Sequence, residues 1–223
     1  MTKPALDLRL YAILDPGLLG GRDPIRCALA AVRGGATLVQ LRDKRYPARP
    51  VIALARALAT ALAPTGVPLI VDDRVDVALT VGAAGVHLGR DDMAPADARR
   101  LLGETALIGV TLHHAAEADA VDPTSADYAG IGPAFPTSSK DPGDPPLGPD
   151  GLARLIGHLR ARLPGFPVCA IAGITADNAA PVIEAGADGI AVISALFRAE
   201  DVEAAARELR TIVDRTLARR RAS

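Results

Sequence analysis

Residues 128–140 combine a short apolar run with a group of side chains that could bind an anion. The run carries two glycines, which is typical of a buried strand that another backbone or a ligand approaches closely. It is followed by the hydroxyl residues Thr137, Ser138 and Ser139, which lead directly into Lys140. Hydroxyl groups and loop amides donate hydrogen bonds to phosphate oxygens, and an ammonium group adds a compact positive charge. The segment therefore predicts a phosphate-binding loop, with a solvated surface loop as the alternative.

The use of lysine favours the functional interpretation of Lys140. Of the 25 basic residues in the chain, only Lys3, Lys44 and Lys140 are lysines. The two internal lysines follow predicted strands, in a chain that otherwise uses arginine. A compact ammonium and a planar guanidinium are not interchangeable, so we expect both positions to require an ammonium group.

A second polar cluster follows the apolar run at residues 38–41. Side chains alternate between the two faces of a strand, so Gln40, Arg42 and Lys44 are expected on one face. One amide and two cations at the end of a strand would suit an anion. The alternative is a surface loop in which Arg42 pairs with Asp43.

Acidic residues follow the third and fourth predicted strands. Asp72 and Asp73 come directly after the third, and Asp92 comes shortly after the fourth. Mg²⁺ accepts one or two carboxylates beside substrate phosphates and water, so these acids predict a magnesium site. Helix capping is the alternative: Asp72 or Asp73 could cap a helix at Arg74, and Asp92 could cap one at Ala94.

Short apolar runs alternate with helical patterns along the whole chain. The predicted strands are residues 9–14, 38–41, 68–71, 85–88, 107–111, 128–132, 168–171 and 189–193. The predicted helices are residues 24–34, 48–63, 74–81, 94–102, 114–120, 150–162, 176–185 and 202–221. Eight strands, each followed by a helix, predict a (β/α)₈ TIM barrel with its active site at the C-terminal ends of the strands. An open doubly wound sheet is the alternative, but it usually has fewer strands.

Small residues follow the last two predicted strands. Gly173 comes after the seventh, and Ser194 directly follows Ile193 at the end of the eighth. Backbone amides that open a helix at such positions form a phosphate site that recurs in these barrels. Thr175 is expected to cap the helix at Ala176. The barrel mouth is therefore predicted to accept a metal-bound phosphorylated group and a simple phosphate.

No linker or change in composition divides the chain, so residues 1–223 are expected to form one domain. The net charge of −1, the aromatic content of 3% and the absence of Trp argue against partners such as nucleic acid or an anionic membrane. Cys27 and Cys169 fall in predicted elements, so buried reduced thiols and a cytoplasmic location are expected. Neither a signal peptide nor a bilayer-spanning stretch is expected. Assembly into a homo-oligomer is left open.

Taken together, these residues resemble the thiamine-phosphate synthase family. The resemblance covers nearly the whole chain, and so many matches in one order are far more specific than any single motif. The matching segments are residues 10–15, 39–44, 70–74, 85–92, 108–111, 127–140, 170–174 and 186–194. Members of this family join 4-amino-5-hydroxymethylpyrimidine diphosphate to a thiazole phosphate. The resemblance therefore implies these two small-molecule substrates and a Mg²⁺ cofactor.

The resemblance also implies roles for individual residues. Those that match the pyrimidine-diphosphate ligands are Gln40, Arg42, Lys44, Thr111 and Lys140. Those that match the Mg²⁺ ligands are Asp73 and Asp92. Those that match the thiazole-phosphate ligands are Thr137, Ser138, Ser139, Gly173, Ile193 and Ser194.

Four positions depart from the family pattern. Asp72 replaces an expected asparagine and Thr111 a serine, whereas Ala172 replaces the first glycine of a Gly-Gly pair and Arg90 a glutamine. Thr111 retains the hydroxyl group. Asp72 adds a negative charge, which could contact the pyrimidine amino group, join the metal ligands, or pair with a cation such as Arg42 or Arg90. The amino-group contact is favoured, because the carbonyl of an asparagine could make the same bond.

Two other functions remain open at this stage. Thiazole tautomerases share the barrel but need no Mg²⁺–diphosphate site, and His113 or His114 could move a proton in such a reaction. The lysines and aspartates of the predicted diphosphate site favour the synthase. The other alternative is a non-catalytic binding or regulatory protein of the thiamine pathway. His87, on an apolar strand, is expected to be a hydrogen-bonded core histidine rather than a catalyst.

The mechanism that the resemblance implies is dissociative. Diphosphate leaves the methylene carbon of the pyrimidine, and its charge is taken up by Mg²⁺, Arg42, Lys44 and Lys140. The electron-rich aminopyrimidine stabilises the resulting cation, which the thiazole nitrogen attacks. No nucleophilic side chain is required, so Arg42, Lys44 and Lys140 would be catalytic through charge and positioning.

Overall fold

The computed structural model describes residues 2–137 and 144–222. Within them, eight parallel strands form a closed barrel in chain order. The strands are β1 Leu10–Leu14, β2 Leu38–Leu41, β3 Leu69–Asp72, β4 Gly85–Leu88, β5 Leu107–Leu112, β6 Tyr128–Ile131, β7 Val168–Ile171 and β8 Gly189–Val192. The first and last strands pair directly, with Leu10 opposite Ile190, so the sheet has no open edge. The predicted (β/α)₈ TIM barrel is confirmed, and the doubly wound alternative is excluded.

Helices follow every strand and form the outer layer. They are α1 Pro24–Arg33, α2 Ala48–Leu62, α3 Val75–Val81, α4 Pro95–Leu102, α5 Ala115–Asp119, α6 Gly148–Arg162, α7 Ala179–Glu184, α8 Ser194–Phe197 and α9 Val202–Ala222. Two short 3₁₀ turns, Pro16–Leu18 and Ala63–Thr65, complete the described elements. None of the described helices has the length and apolar character needed to cross a membrane.

Alternation along the strands separates the core into two layers. Residues such as Val39, Leu41 and Val71 pack outward against the helices. The inner layer fills the barrel and consists of Leu8, Tyr11, Ile13, Leu38, Ile70, Leu107, Tyr128, Cys169 and Ala191. Because successive side chains point to opposite faces, the polar residues Gln40 and Asp72 face the barrel interior. Both residues lie near the C-terminal ends of their strands, so their side chains reach the mouth of the barrel.

Both cysteines are free and buried, as predicted. Cys27 lies on α1 and Cys169 on β7. Burial in the barrel interior raises the pKa of the Cys169 thiol to about 12, so this group stays protonated at neutral pH.

The helix predicted at residues 176–185 begins later than expected. The structure starts α7 at Ala179, and Thr175 does not cap it. Instead, the Asn178 side chain accepts a hydrogen bond of 2.8 Å from the Thr175 backbone N–H and donates one of 3.0 Å to the Gly173 carbonyl. The intervening residues thus form an ordered loop at the C-terminal end of β7.

Candidate active site at the barrel mouth

The C-terminal ends of the strands surround a cavity of about 550 Å³. Every described residue that the sequence predicted for the site lines this cavity: Gln40, Arg42, Lys44, Asp72, Asp73, Asp92, Thr111, Thr137, Gly173, Ile193 and Ser194. Ser138, Ser139 and Lys140 lie outside the described residues, and their roles stay predictions.

The cations after β2 are held by carboxylates. The Arg42 guanidinium donates to Asp15 at 2.7 Å and lies 3.7 Å from Asp72. Lys44 pairs with Asp72 at 3.3 Å and also with Asp73. Arg42 is largely buried, whereas the Lys44 side chain is about half exposed. The buried pair fixes Arg42, and Lys44 can reach both the acids and the cavity.

Asp72 faces inward, as strand alternation predicts. Val71 packs in the outer layer, and Asp72 lies opposite His87 in the β3–β4 register. Of the three arrangements considered for its charge, pairing with cations is present, since both Arg42 and Lys44 approach its carboxylate. Among the described residues, Arg90 pairs with Glu117 and Asp144 and not with Asp72. Contact with the pyrimidine amino group stays a prediction.

Helix capping does not account for the acids at the mouth. The N-cap residues of α3 and α4 are Arg74 and Ala94, and neither helix has a side-chain cap hydrogen bond. Asp92 instead accepts a hydrogen bond of 2.7 Å from the Gly89 backbone N–H, within the loop after β4. The capping alternative is therefore wrong for Asp72, Asp73 and Asp92.

The charge balance of the cavity suits a divalent cation. The lining within the described ranges carries five aspartates and three basic side chains, so it is net negative. Such a wall would repel a bare diphosphate but would accept one that arrives with a metal ion. The described part of the chain contains no cluster of three or more His, Cys, Asp or Glu arranged to hold a metal. Asp73 and Asp92 both line the cavity, and two carboxylates would suit Mg²⁺, which commonly takes one or two and completes its shell from phosphate and water.

Two residues at the mouth have strained backbones. Asp73 has a φ of 56° and Ala172 a φ of 76°, the left-handed region that glycine adopts without steric cost. Ala172 stands where the resemblance expects a glycine. Such conformations persist only where the surrounding structure holds them, and they concentrate at functional sites. Asp73 directly follows β3, and its left-handed backbone changes the direction of the chain at a residue that lines the cavity.

The loops after β6 and β7 are joined by backbone contacts. The N–H groups of Ala134 and Phe135 donate to the carbonyls of Ile171 and Ala172, at 2.8 and 3.1 Å. Gly173 allows this approach, because a Cβ at its position would lie 2.6 Å from the Pro136 carbonyl oxygen. The first residues of the long loop are therefore fixed to the β7 end of the mouth. Thr137 comes next in the chain and lines the cavity.

A chain of buried polar groups forms the floor of the cavity. The Gln40 amide donates to the Tyr11 hydroxyl at 2.6 Å, and the hydroxyls of Tyr11 and Tyr128 lie 2.9 Å apart. His87 Nδ1 is 3.3 Å from the Tyr128 hydroxyl, and His87 Nε2 is 2.9 Å from Thr111 Oγ1. Burial raises the pKa of both tyrosines well above the usual value, so both phenols stay protonated. His87 has the core position that the sequence predicts.

His113 belongs to a separate polar cluster at the rim. It lines the cavity, and its backbone N–H and Nδ1 lie 2.5 and 3.2 Å from Glu117. Arg90 donates to the same carboxylate at 2.6 Å and lies 3.2 Å from Asp144. Burial opposes ionisation of Glu117, but the His113 N–H and the Arg90 guanidinium lower its pKa below the usual value. His114 is about half exposed and does not line the cavity.

Sequence reasoning assigned no role to several residues of the site. Asp15 directly follows β1 and holds Arg42, and the strand-end rule that identified the other acids would also have identified it. Tyr11 and Tyr128 lie within apolar runs, where a tyrosine is typical of the core. No local pattern indicates that their hydroxyls meet inside the barrel.

Known proteins resemble this chain over nearly its full length. The family model for thiamine monophosphate synthase matches residues 10–196. The thiamine-phosphate synthase of Agrobacterium fabrum is 48% identical over 212 residues, which cover 95% of this chain and 96% of that protein. The thiamine-phosphate synthase of Chloroflexus aurantiacus is 48% identical over 211 residues, which cover 95% of each chain.

A solved structure agrees with these sequence relationships. The thiamine phosphate pyrophosphorylase from Pyrococcus furiosus superposes with a TM-score of 0.83 at 37% identity. The match covers 95% of this chain and 98% of that one.

Proposed function

Because the chain belongs to the thiamine-phosphate synthase family, we propose that it joins 4-amino-5-hydroxymethylpyrimidine diphosphate to a thiazole phosphate. The products are thiamine phosphate and diphosphate. As a thiamine-phosphate synthase, the protein is a transferase of thiamine biosynthesis. The observation that carries the choice of substrates is the cavity at the barrel mouth, where cations, paired acids and the β7–β8 loops meet.

The pyrimidine diphosphate would bind on the β2–β4 side of the cavity. Gln40 lies at the floor there, with Arg42 and Lys44 above it. A guanidinium and an ammonium at one mouth suit the oxygens of a diphosphate, because the first binds in a fixed plane and the second as a point charge. Lys140 would add a further positive charge from the loop after β6.

Asp73 and Asp92 would hold Mg²⁺ at the same side of the cavity. When bound, the metal would neutralise part of the diphosphate charge and so favour its departure. The net negative charge of the described lining supports this assignment, since the acids need a cation before a polyanion can enter.

The residues of the chain would act by placing charge and by positioning the two reactants. Arg42, oriented by Asp15, and Lys44 would stabilise the negative charge that grows on the departing diphosphate. The thiazole nitrogen would then attack the methylene carbon of the pyrimidine cation from the β7–β8 side. No side chain needs to form a covalent bond, so the mouth acts mainly through preorganised charge and proximity.

The thiazole phosphate would bind between the loops after β6, β7 and β8. Thr137, Gly173, Ile193 and Ser194 line that part of the cavity. Hydroxyls and backbone amides suit a phosphate monoester. The backbone bonds between the β6 and β7 loops support a preformed site.

Thiamine phosphate formation tests the proposal directly. Purified protein is incubated with Mg²⁺ and both substrates, and the product is detected by mass spectrometry, with each substrate omitted in turn as a control. We expect product only when both substrates are present. Tight binding of both substrates without product at any Mg²⁺ concentration would indicate the binding or regulatory alternative. Isomerisation of a thiazole substrate without its being joined to the pyrimidine would indicate the tautomerase. Of the two histidines considered for that reaction, His113 lines the cavity and His114 does not.

Asp72→Asn is expected to retain activity. The carbonyl of an asparagine can accept a hydrogen bond from the pyrimidine amino group as the aspartate would. Arg42 and Lys44 each lose one ion pair with Asp72 but keep another, with Asp15 and Asp73 respectively. We predict a kcat/KM within about threefold of the parent, measured from diphosphate release over a range of pyrimidine substrate. Asp72→Leu, which removes both oxygens at similar volume, serves as the matched variant and should be strongly impaired. Loss of Mg²⁺ binding in Asp72→Asn would instead identify Asp72 as a metal ligand.

We also propose that the enzyme acts in the cytoplasm. The two free, buried cysteines support a reducing compartment. Its proposed partners are the two small-molecule substrates, and a sedimentation measurement would decide whether the chain assembles into a homo-oligomer.

A further inference from the structure

The buried polar chain beneath the cavity has a direction that its hydrogen bonds impose. The Gln40 Nε2 amide can only donate, so the Tyr11 oxygen accepts from it. Within the described ranges the Tyr11 hydroxyl has two partners, Gln40 and Tyr128. Its single proton must therefore be donated to the Tyr128 oxygen. An opposite choice would leave a buried hydroxyl proton without an acceptor, which is costly.

The direction continues through the histidine to the cavity. Tyr128 accepts from Tyr11, so its own proton is donated to His87 Nδ1. A neutral imidazole whose Nδ1 accepts carries its proton on Nε2. Nε2 then donates to Thr111 Oγ1, and the Thr111 proton is left to point toward the cavity. At the other end of the chain, the Gln40 carbonyl oxygen is left to accept from a ligand.

We propose that Tyr11 and Tyr128 are positioning residues that fix the hydrogen-bonding character of the two ends of this chain. Gln40 presents an acceptor to the cavity, and Thr111 presents a donor. This arrangement selects a ligand with a donor near Gln40 and an acceptor near Thr111. An aminopyrimidine diphosphate has both, in its exocyclic amino group and in its phosphate or ring-nitrogen acceptors. The inference rests on the proposed function and deepens it, because it explains how one substrate is oriented.

The two ends are coupled, because the chain is continuous. If the Gln40 amide were reversed, every proton in the chain would have to reverse, and Thr111 would present an acceptor. The two ends therefore change together. A ligand that matches one end but not the other would therefore leave one contact unsatisfied in either direction of the chain.

The barrel reserves space for this chain at two glycines. A Cβ at Gly109 would overlap the Tyr128 ring and would lie 2.5 Å from His87 Nδ1. A Cβ at Gly130 would lie 3.2 Å from His87 Cε1. The rings of Tyr11 and Tyr128 pack edge to face at 6.0 Å, which limits their rotation. The hydroxyls are thus held in line by packing as well as by hydrogen bonds.

The protonation of His87 tests the direction without any turnover. In protein labelled with ¹⁵N at histidine, the long-range ¹H–¹⁵N spectrum distinguishes a protonated Nε2 from a protonated Nδ1. His87→Gln assigns the signal. We expect His87 to carry its proton on Nε2 in the unaltered protein, and to lose this preference in Tyr128→Phe. A His87 proton on Nδ1 in the unaltered protein would overturn the proposed direction.

The kinetic test uses the three tyrosines of the protein, two of which belong to the buried polar chain. Tyr11→Phe and Tyr128→Phe remove only the hydroxyls, and Tyr46→Phe is the matched control because Tyr46 is exposed outside the cavity. We expect about a tenfold loss in kcat/KM for the pyrimidine diphosphate in each buried variant, with the KM for the thiazole phosphate unchanged. Since either change breaks the same chain, the double variant should cost little more than one single variant. Equal effects on both substrates, or fully additive losses, would overturn the positioning role.

The outcomes separate this inference from the proposed function. If the unaltered protein forms no thiamine phosphate, the proposed function fails. If it forms product and the buried variants behave like Tyr46→Phe, only the role of the two tyrosines fails. Should a buried variant not fold, the His87 spectrum of the unaltered protein still decides the direction of the chain.

Discussion

Asp73→Asn and Asp92→Asn are each expected to lower turnover by about 10²–10³ at a fixed Mg²⁺ concentration, and to shift the Mg²⁺ requirement to higher concentrations. Both residues line the cavity and neither caps a helix, and a carboxylate that accepts from Lys44 or from the Gly89 N–H has a second oxygen with which to bind a metal ion. An asparagine keeps the shape and one acceptor oxygen but removes the negative charge that binds a divalent cation. Activity measured over a Mg²⁺ titration, with Mn²⁺ binding followed by paramagnetic resonance, gives the effect on metal and on turnover separately.

Asp97→Asn is the control for this pair. Asp97 is an exposed carboxylate on α4 that pairs with Arg100, three residues further along the helix. Its replacement should leave both titrations unchanged. If the two mouth variants gave the same Mn²⁺ affinity as Asp97→Asn, the assignment of Asp73 and Asp92 to the metal would be wrong.

Lys140→Ala is expected to reduce kcat by about 10²–10³ while the protein remains folded. Lysine is used selectively in this arginine-rich chain, and Lys140 matches the diphosphate-binding lysine of the family that the sequence resembles. An ammonium that contacts the departing diphosphate stabilises charge that exists mainly in the transition state, so kcat should fall more than KM rises. Initial rates of diphosphate release at saturating substrate measure this loss.

Two further variants define what Lys140 contributes. Lys140→Arg should also be impaired, because a planar guanidinium does not replace a compact ammonium. Lys3→Ala is the control, because Lys3 pairs with Asp127 just before β6, at the opposite end of the barrel. Near-normal turnover in Lys140→Ala would contradict this role and would favour the alternative, in which Lys140 belongs to a solvated surface loop.

The fold was predictable because hydrophobic periodicity reports it directly. The predicted strands at 38–41, 85–88 and 168–171 have the same bounds as β2, β4 and β7. Strand alternation also placed Gln40 and Asp72 inside the barrel. Helix starts were harder, since Thr175 and Asn178 are both favoured N-cap types. In the structure Asn178 is the N-cap residue of α7, and its side chain bonds back to Thr175 and Gly173.

Most of the cavity-lining residues that the sequence predicted lie at the end of a strand or in the loop that follows it. Asp73 and Asp92 were found in this way, because parallel strands bring their C-terminal ends to one mouth. The partners of Arg90 were not found, because Glu117 lies on α5 and Asp144 lies in the loop after β6. The Tyr11–Tyr128 contact joins residues 117 positions apart, and each tyrosine alone is typical of a core position. Contacts of this kind depend on the closed register of the barrel, which no local pattern contains.

Phosphorus NMR of the complete reaction tests the central claim most directly. The pyrimidine diphosphate, the thiazole phosphate and both products have separate ³¹P signals, so a time course follows every phosphate group in one sample. With Mg²⁺ present, we expect inorganic diphosphate and thiamine phosphate to appear at equal rates, and neither to form when Mg²⁺ is removed by a chelator. Diphosphate released without an equal amount of thiamine phosphate, or no change in any signal, would contradict the account.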